Sequence, residues 1–92
     1  MKLKLSEWVE FSLEVDDHIE KYCIPQYGDY PDTMIEDWTI NDVKTQLEKY
    51  IKRIGVNVRG IEEAKRDTLK IAHYACLLLK KIREEEDDLR KL

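Results

Sequence analysis

The segment TLKIAHYACLLLKKI, residues 68–82, limits what this chain can fold into more than any other, because its centre, Ile71 to Leu79, is the longest run without a charged residue. Wound as a helix, it sets Ala64, Thr68, Ile71, Ala72, Ala75, Leu78, Leu79 and Ile82 on one stripe at spacings of three and four. Cys76 and Leu77 extend the apolar surface around the cylinder, which predicts burial on more than one side. The helix should start near Ile61, with Glu62 and Glu63 at its positive end, and continue to about Asp88. A rod of that length spans roughly 42 Å, longer than its partners within the chain, so its tail is expected to project or to meet another copy. Glu84 to Asp88 fall at the end where the helix dipole disfavours acids. Fraying is expected there despite the i,i+4 pairs Glu86 with Arg90 and Asp87 with Lys91.

Earlier in the chain, Ser6 is the expected N-cap of a helix running to Cys23, with Glu7 and Glu10 in its first turn and Pro25 as its stop. Trp8, Phe11, Val15, Ile19, Tyr22 and Cys23 share one helical face. Val9, Phe11, Leu13 and Val15 also alternate with polar residues as a half-buried strand would. Helix is preferred because the 3.6-residue period extends beyond them and no partner strand is nearby. Residues 24–38 form an aromatic connector broken by Pro25, Gly28 and Pro31, with a short helical turn expected at 32–37. Thr39 and Asp42 have the spacing of a capping box for a helix over 40–54, whose inner face is Ile40, Val43, Leu47, Tyr50, Ile51 and Ile54 and whose C-cap is Gly55. The short link that follows makes this helix and the last one an antiparallel hairpin.

The expected architecture is therefore all-α: one domain of three helices, 6–23, 40–54 and 61–88, completing a bundle by self-association. Charged residues at 39% of the chain suit solvated helix faces. No apolar run approaches the roughly 18 residues of a membrane span, and no export signal follows MKLKLSEW, so a soluble, cytoplasmic protein without membrane partners is expected. Cys23 and Cys76 are then read as two reduced, buried thiols. His18, Cys23, His73 and Cys76 lack the paired short spacing of a zinc site.

Charge is unevenly placed. Residues 1–43 hold three basic against eleven acidic side chains, whereas residues 44–70 hold eight basic against four acidic. The basic middle could bind phosphate through Lys52, Arg53 and Arg59, or acidic and basic faces could neutralise each other within or between chains; the second needs no ligand. Lys49, Lys52, Arg53 and Arg59 could also meet nucleic acid, but a net charge of -4 disfavours it. Among the acidic pairs at helical spacing, Glu63 and Asp67 alone sit beside the basic turn, which makes them the candidate catalytic and Mg²⁺-ligating pair.

The YGD of Tyr27 to Asp29, Trp38, QLEKYIKRIG at 46–55, Asp67 and LKIAHYACLLL at 69–79 together resemble small phage-associated helical proteins of the MazG-like and nucleotide modification associated type. That resemblance implies an all-α dimer with Mg²⁺-dependent nucleoside triphosphate pyrophosphatase activity, using an ExxE and a later ExxD. Here the middle helix has no ExxE, and Glu63 and Asp67 stand four apart rather than three. The leading expectation is accordingly a non-catalytic, oligomeric interaction or regulatory module of phage or prophage origin that needs no cofactor. The alternative is a MazG-like hydrolase or nucleotide binder using Mg²⁺.

Overall fold

The computed structural model describes residues 2–27, 36–56 and 60–92, and every regular element among them is helical. Helix α1, Leu3–His18, passes into a π-helical turn, Ile19–Cys23, and then into α2, Ile24–Tyr27; α3 spans Ile40–Val56 and α4 Ile61–Arg90. The chain groups into two compact units, Met1–Pro31 and Asp32–Leu92. No helix is long and apolar enough to cross a membrane among the described residues.

In the first unit, residues 9–15 are helical, which removes the strand alternative. The helix starts three residues before the expected Ser6 cap. Lys2 is the N-cap and has no side-chain cap bond; its carbonyl accepts from the N–H groups of Leu5 at 3.1 Å and Ser6 at 3.2 Å. Leu3, Lys4 and Leu5 are good helix formers, so nothing interrupts the helix ahead of Ser6, and Glu7 and Glu10 lie beyond the first turn.

Pro25 does not stop the helix either. Within an α-helix its ring would meet the carbonyl four residues back, that of Lys21. The backbone widens into the π turn just ahead of it, where the Ile24 N–H reaches back to the Ile19 carbonyl, and helical structure continues past the proline. Asp17 and Lys21, 3.0 Å apart, bridge the junction, and the hydrogen bond that Lys21 donates to the Asp17 carboxylate raises the pKa of its ammonium above the ordinary 10.5. Trp8 packs edge-on to Phe11 at 5.7 Å, and the buried His18 lies 5.5 Å from the Tyr22 ring.

The second unit is the expected hairpin. The capping box closes reciprocally: the Thr39 N–H donates to Asp42 Oδ2 at 2.8 Å and the Asp42 N–H to Thr39 Oγ1 at 3.2 Å. Gly55 is not the C-cap, because α3 continues through it to Val56; the positive φ belongs instead to Gly60, the N-cap of α4, at 90°. Partners run in opposite directions along the two helices: Arg53 meets Asp67, Tyr50 meets Tyr74 and Glu36 meets Lys81. Val43, fully buried, and Tyr50 form the buried apolar core. Ile51, expected inside, is 58% exposed because it sits one residue, about 100° of helix, from Tyr50.

Helix α4 departs most from expectation. It runs through Arg90, two residues beyond the expected end near Asp88, with an Arg90 to Glu86 ion pair at 2.6 Å and the Lys91 N–H donating to the Asp88 carbonyl at its end. None of its apolar side chains is buried; its single buried residue is Asp67. Cys76, expected as a buried thiol, is exposed, as are Ala75, Leu79 and Ile82. One facing helix covers one stripe of a rod, and α4 carries more than one stripe.

Candidate functional site

Among the described residues Asp67 is the most deeply buried charged side chain of the second unit, at 2% exposure. A carboxylate taken out of water costs several kcal/mol unless it is paired. Here Arg53 Nη1 of α3 lies 3.8 Å and Lys70 Nζ of α4 lies 3.7 Å from Asp67 Oδ1. Both separations are coulombic rather than hydrogen-bonding, and Oδ1 has no hydrogen-bond partner among the described residues. The two cations are about one-third exposed, so each connects the buried charge to solvent.

The same cations surround an aromatic hub. Lys49 Nζ, Lys70 Nζ and Arg53 Cζ stand 4.7, 5.3 and 5.5 Å from the centre of the Tyr50 ring, within cation–π range. Tyr74 of α4 lies 5.6 Å from Tyr50, and Trp38 stacks on Tyr74 at 6.4 Å with planes 12° apart. Beyond Trp38, Lys81 Nζ donates to the Glu36 carbonyl at 3.0 Å and lies 3.6 Å from Glu84. A continuous column of basic and aromatic side chains thus ties α3 and its lead-in to α4.

Of the residues singled out in the sequence, Arg53 and Asp67 come together. Glu63 stands one turn from Asp67 but takes a hydrogen bond from Arg66 Nη1 at 2.7 Å. Lys52 is exposed on α3 and is not drawn into the cluster, and Arg59 lies outside the described residues. No group of three or more His, Cys, Asp or Glu side chains could hold a metal ion among the described residues. Around Asp67 the positions a cation would take are already held by Arg53 and Lys70. The sequence reading does not anticipate Lys70 as a partner of Asp67, nor Tyr50 as the ring that Lys49, Arg53 and Lys70 surround. The signal existed in the spacing: Lys49 and Arg53 are four apart and bracket Tyr50, and Lys70 is one turn beyond Asp67.

In chemical terms this is a clamp that fastens two helices, built around one neutralised carboxylate. In comparisons with family models, curated proteins and solved structures, nothing matches the chain.

Proposed function

We propose that the protein is a non-catalytic module that works by associating with copies of itself, with the hairpin of α3 and α4 as the associating part. The observation that supports this reading is the imbalance between buried and exposed apolar surface. Among the described residues only Val43 and Tyr50 form a buried apolar core, while Ile51, Leu79, Ile82 and Leu89 of the hairpin remain open to water. Leu79, Ile82 and Leu89 lie along α4, and a contiguous run of exposed large apolar side chains marks an interaction surface. The electrostatics agree, since basic residues 44–70 and the acidic run Glu84 to Asp88 can satisfy each other between chains without a ligand.

Hydrolysis of nucleoside triphosphates is less well supported. Glu63 and Asp67 are each committed to cations of the chain itself, Arg66 and the pair Arg53 and Lys70, where a Mg²⁺ site needs carboxylates turned to a shared metal. Sedimentation equilibrium over a wide concentration range tests the reading directly: the mass should climb from one chain to a defined multiple, and a single chain throughout would overturn it. Adding deoxynucleoside triphosphates with Mg²⁺ should leave the melting temperature unchanged, whereas a rise would restore the hydrolase alternative.

A further inference from the structure

The exposed side of α4 carries a second 3-4 repeat, separate from the stripe turned to α3. Its centre is Ala72, Ala75, Leu79 and Ile82; Lys65 and Thr68 continue it toward the N-terminus, Glu86 and Leu89 toward the C-terminus. The alternating steps of three and four are those of a coiled-coil seam. Ala72 is half-buried and every other member is exposed, with Leu79 at 46%, Ile82 at 44% and Leu89 at 64%. From Lys65 to Leu89 the seam is about 36 Å long at about 1.5 Å per residue.

We infer that this seam pairs with the same seam of a second copy in antiparallel orientation, with the two-fold axis passing beside Cys76 and Leu77. The inference rests on the self-associating reading above and adds orientation and register to it. Two complementarities select the arrangement. The first is size. About that axis Ala72 lies across from the partner's Ile82 and Ala75 from the partner's Leu79, so every central layer sets a small side chain against a large one, as close packing requires. A parallel, in-register pair would put Ala against Ala and Leu against Leu, leaving a hollow beside a bulge.

The second is charge at the seam. A parallel pair would place Glu86 against Glu86 and Lys65 against Lys65. The antiparallel pair puts Lys65 against the partner's Leu89, its aliphatic stem on the apolar side chain and its ammonium within reach of the partner's Glu86. On the flank, Glu62 comes level with the partner's Arg90. Within one chain Glu62 already pairs with Lys65 at 3.3 Å and Glu86 with Arg90 at 2.6 Å, so each end of the assembly becomes a four-charge cluster of alternating sign.

Shifting the register by one heptad in either direction loses the pairing of Glu62 with Arg90 and breaks the alternation of small and large layers.

Thiol cross-linking of the full chain tests the register. With Cys23 replaced by Ser, a short bis-maleimide should join Cys76 to Cys76 of the second copy, because the two flank the axis. In chains lacking both native cysteines, Glu62→Cys and Arg90→Cys should each stay uncrosslinked alone and give a covalent dimer only when mixed. Dimers in which each single-cysteine chain links to itself would establish a parallel pair and overturn the inference while leaving self-association intact. A dimer with neither cross-link would overturn the register in the same way. Absence of any dimer by sedimentation would instead remove the reading on which the inference rests. A charge-reversal cycle reads the same contact independently: Glu62→Arg or Arg90→Glu alone should weaken the dimer, by roughly tenfold at most for solvent-exposed pairs, and the double substitution should restore it. Additive losses in the double variant would overturn the register.

Discussion

Asp67 is the residue on which the hairpin's electrostatics turn. Its burial costs desolvation, and the partly solvated Arg53 and Lys70 return attraction that water screens in part. Removing the carboxylate leaves both cations crowded around the Tyr50 ring without their counterion. Asp67→Ala is therefore expected to destabilise the chain by about 2 kcal/mol, read as a lower urea midpoint at unchanged slope. Asp67→Asn keeps the volume and should recover part of that loss; an unchanged midpoint in both variants would mean that the clamp contributes nothing. The pairing of Asp67 with the basic turn was legible in the sequence as a cluster of opposite charges on adjacent helices. Its purpose was not, because sequence spacing places charges on faces but does not say how deeply a face is buried. A carboxylate open to solvent reads as a metal ligand, whereas the same group at 2% exposure between two cations reads as a fastening.

Among the elements, the helices follow from local signals where those signals are chemical, and escape them where two effects compete. Thr39 and Asp42 fixed the start of α3 because their reciprocal hydrogen bonds are a property of four consecutive residues. Pro25 misled, since a proline terminates an α-helix but a π turn relieves the clash that makes it do so. Gly55 misled too: with Gly60 five residues on, the sequence offers two glycines for one link, and only Gly60 takes the left-handed backbone. The two glycines should respond oppositely to alanine. A Cβ at Gly55 meets nothing within 4 Å on a helical backbone, so Gly55→Ala should stabilise by about 0.5 kcal/mol. Gly60→Ala must hold φ near 90° and should destabilise by about 1 kcal/mol or more. Thermal melts of the two variants decide it, and a shift of the same sign in both would contradict the assigned backbone.

At the scale of the whole molecule, stability and association become one quantity. A hairpin of two helices covers one stripe on each, and α4 leaves Leu79, Ile82 and Leu89 in water, with α3 the one helix packed on it among the described residues of its unit. If copies cover that surface, the folded state is stabilised by mass action and its melting temperature must depend on protein concentration. A hundredfold rise in concentration should move the midpoint upward by about 5–10 °C for a domain of this size. Ile82→Asp puts a charge at the middle of the seam, at a position already open to solvent in the single chain, so it should leave the hairpin's own packing intact. That variant should keep its far-ultraviolet helical signal at high concentration, lose the concentration dependence and melt at the midpoint the unaltered protein approaches on dilution. A wild-type midpoint that stays fixed over the same range, with Ile82→Asp melting alongside it, would show that the apolar face of α4 contributes nothing to the folded state and that the hairpin stands on Val43, Tyr50 and the Asp67 clamp alone.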